Sequence, residues 1–171
     1  MRKALSTPGV RALFSFPDPV NEKAARVVAS FVLMTVIAIL ATGAYWLLIP
    51  LAYGFWARLL TGPTLSPLGR LAMNVIAPRL GPKKPVPGAP KRFAQGMGAV
   101  MSTIALVLAF AVSHTAADVM LIMFLPAAGL EAIFGYCLGC KMYPVLMRRG
   151  LVPYAACEEC SNISFRLRPS D

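Results

Sequence analysis

Four cysteines stand in two frames of the same spacing, Cys137-Leu138-Gly139-Cys140 and Cys157-Glu158-Glu159-Cys160. Sixteen residues separate the frames, giving C-x2-C-x16-C-x2-C. That spacing falls inside the zinc-ribbon pattern of about 15–20 intervening residues, where two turns offer four thiolates to one tetrahedral ion. The same frames suit redox or sulfur-transfer chemistry, because a C-x-x-C dithiol can pass electrons or sulfur through its paired thiols. Structural zinc, reactive dithiols and inert cysteines are all open readings at this point.

Helix polarity bears on the choice. A reactive thiol gains acidity at a helix N-terminus, where the dipole favours thiolate. Cys137 and Cys140 are expected at the C-terminal end of a long apolar helix, where the dipole works against them, with Lys141, Arg148 and Arg149 as offsetting charges. Metal would lower the thiol pKa whatever the polarity. Glu131 is the other candidate. It lies inside the same apolar stretch, past Pro126 and Gly129, where a charge costs about 2.5–3.5 kcal/mol. It must therefore face protein or trapped water, either as a functional carboxyl or as a neutral one bonded to a neighbouring helix. His114 and Asp118 are four apart but fall at a turn, so capping or exposure outranks a metal pair.

The elements that hold these residues follow from composition. Of 171 residues, 57% are hydrophobic and 14% charged. A soluble domain carries about 45–50% and about 25%. Those figures exclude both a water-soluble globule and a disordered chain, and leave an integral membrane protein. Net charge is +10, from 17 Lys and Arg against 7 Asp and Glu. The basic residues form three blocks, in 1–26, 58–92 and 141–171, and none lies in 27–57 or 93–140. Cations that flank apolar spans are topology signals, whereas a nucleic-acid surface would interleave them with aromatics. Nucleic acid is not a partner on this reading.

The first apolar run, 27–57, is too long for one crossing of a core about 30 Å thick. It predicts two limbs, about 24–43 and 44–60, turning at Thr42-Gly43-Ala44, with Pro50 kinking the second limb and a re-entrant hairpin as the alternative. The second apolar region predicts helices at about 93–114 and 119–140. The fold class is thus an all-α membrane protein of four transmembrane helices in two hairpins. A cytoplasmic segment 1–26 precedes the bundle 27–140, and a cysteine-containing tail 141–171 follows. The segment before the bundle is too long and polar for a cleaved signal peptide, and Asp18-Pro19 offers a helix start. Four crossings put every basic block on one side, which the positive-inside rule makes cytoplasmic, with both termini. Between the hairpins, 67–80 reads as an interfacial helix with Leu68, Leu71, Ala72, Val75, Ile76 and Leu80 on one face. Residues 81–92 read as a basic, proline-rich extended loop. Gly98, Ser102, Ala105 and Ala109 form a small-residue stripe for helix packing.

Several pieces together resemble a known bacterial membrane family, domain of unknown function 4395. They are Phe16-Pro17-Asp18-Pro19-Val20-Asn21-Glu22, Lys91-Arg92-Phe93-Ala94-Gln95-Gly96, Glu131 with Gly135-Tyr136-Cys137-Leu138-Gly139-Cys140, and Cys157-Glu158-Glu159-Cys160. The similarity spans about 14–165. It implies a multi-pass protein of the bacterial inner membrane without an established activity. Some members resemble fusions to, or neighbours of, thioredoxin-like or rhodanese-like domains, so the resemblance implies a thiol or sulfur context with such a partner acting in trans. Three functions are carried forward. They are a thiol relay, a scaffold with a four-cysteine zinc site, and a small transporter built on Glu131.

Overall fold

The computed structural model describes residues 20–82, 84–86 and 88–149. Six helical elements account for most of it. α1 spans Glu22–Thr42 and α2 spans Leu48–Thr61, after a single 3-10 turn at Tyr45–Leu47. α3 runs as Pro67–Leu71, a wide π turn at Ala72–Ile76, and Ala77–Arg79. α4 spans Gly88–Val107 and continues as a π segment, Leu108–Val112; α5 spans His114–Phe134; α6 spans Leu138–Arg148.

α1 starts at Glu22, later than Asp18-Pro19 suggested, because Asn21 caps it by accepting from the Lys23 N–H at 3.1 Å. Asp18 and Pro19 lie outside the described residues. Gly43 ends α1 in a left-handed conformation, so the turn falls at the Thr42-Gly43-Ala44 break. Pro50 does not kink α2. It sits in the first turn, where the backbone N–H groups have no intrahelical partner to lose. The fold also departs from purely helical. Val20–Asn21 pairs antiparallel with Pro85–Val86, and Glu22 N–H bonds Lys84 O at 2.9 Å. The extended character that prolines impose on this loop is what lets it add a strand.

α4 begins at Gly88, not at about 93. Pro90 is helical because it too occupies a first turn. The shift matters, since it puts Lys91 on a helix rather than in a loop. α5 likewise begins and ends earlier than expected, at His114 and Phe134, and runs through Pro126.

Among the described residues, α1, α4 with its π segment, and α5 are long and apolar enough to cross a membrane. α2 has 14 residues, against about 20 for a full span. Exposed Phe31, Met34, Ile37, Trp56, Val100, Ile104, Phe110, Ile122 and Met123 cover the outside, a surface suited to acyl chains. Inside, the limbs of the two hairpins interlock: α1 packs chiefly on α5, and α2 on α4. The stripe of Gly98, Ser102, Ala105 and Ala109 is buried as its small size requires, with the Phe55 ring filling the space beside Gly98. α3 uses Gly69, Ala72 and Ala77 to lie against the bundle, while Leu71, Val75 and Leu80 face outward.

At the end of the bundle that carries the turns, Tyr45 stacks on His114 with ring centroids 4.2 Å apart and donates to Asp118 Oδ1 at 2.9 Å. His114 and Asp118 thus join the two turns, and Ser113, not His114, caps α5. The other end collects the described cations and the candidate site.

Candidate functional site

The cysteine frame sits where one helix stops and another starts. α5 stops because Gly135 takes a φ of 68°, with its N–H on Glu131 O at 3.0 Å and the Tyr136 N–H on Leu130 O at 3.1 Å. A side chain at Gly135 would also strike Glu22 Oε1, 2.9 Å from an added Cβ. After Tyr136 the chain turns into α6 at Leu138. The Lys141 N–H bonds Cys137 O at 3.2 Å, the first intrahelical bond, so Cys137 is the N-cap and Cys140 lies in the first turn. This reverses the polarity expected from the sequence. The pair stands at the positive end of a helix dipole, not at the negative end of α5.

The sulfur of Cys137 accepts hydrogen bonds from the thiol and the backbone N–H of Cys140. Those bonds draw the Cys137 thiol below its ordinary pKa, the Cys140 thiol bond most strongly; burial and the Glu131 charge oppose them, and the Lys91 ammonium assists. Cys140 moves the other way, held up by giving its proton to Cys137 and by burial. Both are free thiols; Cys137 is buried and Cys140 half-buried. Gly139 fits the frame to the bundle, since a Cβ there would lie 2.8 Å from Ala94 Cα of α4. Phe93 and Tyr143, with ring centroids 5.7 Å apart, hold α6 to α4 on the same side.

Glu131, one turn from the end of α5, forms an ion pair with Lys91, Nζ to Oε1 2.6 Å. The Lys91 side chain is 6% exposed and that of Glu131 18%. The neighbouring-helix bond foreseen for Glu131 is therefore ionic, and its donor is a residue that the proline pattern of 81–92 assigns to the loop. A second buried cation is Arg58. Its Nε donates to Gln95 Oε1 at 2.9 Å, Nη1 to Ser66 Oγ at 3.3 Å, and the guanidinium lies 4.7 Å from the Phe55 ring centre. Tethers to the bundle end complete the frame: Arg26 Nη2 on Ile133 O at 2.5 Å, Lys84 on Glu22 at 2.8 Å, and Arg92 Nε on Leu59 O at 3.2 Å.

A cavity of about 240 Å³ opens beside the frame, between α1, α4 and α5. Met97, Met101, Met123 and Phe124 make its walls apolar, and Gln95, Glu131 and Cys137 supply polar groups. Cys137 and Glu131 thus share one chamber, with Lys91 bonded to Glu131.

The family model described as "Domain of unknown function (DUF4395)" matches residues 20–148. The chain belongs to this family. The matched segment of the DUF4395 chain holds Arg58, Lys91, Glu131, Cys137 and Cys140, and stops short of Cys157 and Cys160. No curated protein matches the chain, and no solved structure does.

Of the site residues read from the sequence, the structure brings together Cys137, Cys140 and Glu131. Cys157 and Cys160 lie outside the described residues. Among the described residues no cluster of three or more His, Cys, Asp or Glu is placed to hold a metal. Sequence reasoning missed Lys91 and Arg58. The signal for Lys91 is an acid within an apolar helix, Glu131, which demands a cation from a neighbouring element.

Proposed function

We propose that this DUF4395 protein is a thiol relay of the bacterial inner membrane, in which Cys137 and Cys140 exchange electrons with a thioredoxin-like or rhodanese-like partner at the cytoplasmic face. One observation carries the reading: the Lys141 N–H on Cys137 O makes Cys137 the N-cap of α6, at the positive end of its dipole. That arrangement favours thiolate at the residue that must attack. The apolar helices support the membrane setting. The gathering of described cations at one end supports four crossings with both termini cytoplasmic, α2 completing the first hairpin through interfacial side chains.

With a thioredoxin-like partner the exchange needs no group beyond that partner's disulfide. Cys137 thiolate attacks one partner sulfur, a mixed disulfide forms, and the partner's other sulfur leaves as thiolate. That thiolate takes the Cys140 proton. Cys140 then attacks the Cys137 sulfur, closing Cys137–Cys140 and releasing the partner's second thiolate. Two electrons have moved to the partner, and a reverse run recharges the pair. Lys91 holds positive charge near the attacking sulfur, and Glu131 holds Lys91 in position.

Zinc held by Cys137, Cys140, Cys157 and Cys160 is the competing assignment, and thiol counting separates the two. Protein purified without oxygen is expected to carry well under one zinc per chain. The Cys157→Ser/Cys160→Ser variant should leave the alkylation of Cys137 unchanged. One zinc per chain in the wild type, absent from both this variant and Cys137→Ser/Cys140→Ser, would replace the relay by a structural metal site.

A further inference from the structure

Arg58 is 6% exposed, and its Nη2 is a buried nitrogen without a hydrogen-bond partner. A buried guanidinium left short of one acceptor is costly, since a desolvated donor forfeits its bond to water. Charge repeats the imbalance. Glu131, the acid that acts on Arg58 electrostatically, is itself bonded to Lys91. Beside them a second cavity, of about 60 Å³, opens between α1, α2, α3 and α4, with Arg58, Lys91 and Gln95 as the polar side chains of an otherwise apolar lining. Of the side chains that line it, Arg58 and Lys91 are cationic and none is an acid. Gln95 Oε1 is occupied by the Arg58 Nε–H, which turns its amide N–H2 group into the remaining donor. The polar lining is thus donors and positive charge, large enough for one small tetrahedral group.

We infer that this cavity is an oxyanion site, in which Arg58 and Gln95 hold a phosphate group at the cytoplasmic end of the bundle. Bidentate donation and delocalised charge suit guanidinium to such a group. The group can belong to an anionic lipid headgroup or to free phosphate. Nothing in this site depends on the cysteines.

The test uses the full chain in two arms. Inorganic phosphate is titrated calorimetrically in a neutral detergent. In nanodiscs, retention of phosphatidylglycerol against phosphatidylcholine is measured by native mass spectrometry. Saturable one-to-one binding is expected in one arm, and that arm identifies the source. Arg58→Gln should weaken it about tenfold or more, the loss expected for a charge-assisted hydrogen bond. Ala24 also lines the cavity, so Ala24→Leu should fill it and weaken binding as much while leaving the Arg58 bonds in place. Gel filtration checks that each variant folds; if Arg58→Gln does not, Ala24→Leu decides. Absence of saturable binding in both arms, or binding by folded Ala24→Leu as strong as the wild type, would overturn the site.

Discussion

Lys91→Met is expected to be the most damaging single substitution in the bundle, with a loss of about 3–5 kcal/mol. The change removes one member of a buried pair and leaves the Glu131 carboxylate, 18% exposed, against an apolar wall. Glu131→Gln should be milder than Lys91→Met, because the amide still accepts from the ammonium. Glu131→Lys should be severe, because it sets two ammonium groups at one point. The double variant Lys91→Met/Glu131→Gln should regain much of what Lys91→Met loses. Thermal unfolding followed by gel filtration in detergent gives all four values. Equal stabilities across the set would show that the 2.6 Å pair contributes nothing to the fold.

The second large effect concerns acidity rather than stability. Cys137 titrates below an ordinary thiol chiefly because Cys140 donates to it. Cys140→Ala removes that donor while burial and the Glu131 charge, which both raise the pKa, remain. The midpoint for alkylation of Cys137 must therefore move to higher pH, and its rate at neutral pH should fall about tenfold, one unit being 1.36 kcal/mol. Cys140, held up by the same bond, should alkylate slowly in the wild type at neutral pH. Removing Cys137 should quicken it. Iodoacetamide labelling across pH, read by peptide mass, measures both. A midpoint for Cys137 that stays in place after Cys140→Ala would sever the pair.

Much of the bundle is legible in the pattern of charges. Apolar lengths and the three basic blocks locate the helices, the turn at Gly43 and the buried stripe from Gly98 to Ala109. Glu131 is legible as an acid that needs a partner for the same reason, since a carboxyl in an apolar stretch has few explanations. Its partner is not. Proline argues against helix, yet Pro90 sits in a first turn, and that difference of five residues moves Lys91 from loop to bundle wall. The polarity at Cys137 turns on a similarly small feature. Gly135 splits an apolar run that reads as continuous, and the two residues after it turn the frame from a helix end into a helix start. Arg58 carries no mark of burial in the sequence, because only the placement of Ser66, Gln95 and Phe55 draws it inward. A local break or a long-range bond decides each case, and neither leaves a periodic trace in sequence.

The most direct test of the relay is a redox titration of Cys137 and Cys140 in the full chain, equilibrated with glutathione buffers and quenched by acid and alkylation. A thiol drawn down in pKa stabilises the reduced pair and makes its disulfide more oxidising. A relay requires a two-electron transition between Cys137 and Cys140, expected at or above about −270 mV, the thioredoxin value. The same midpoint is expected in Cys157→Ser/Cys160→Ser. Thiols that stay reduced at every potential, or a transition that pairs Cys137 with Cys157 or Cys160 instead, would contradict it.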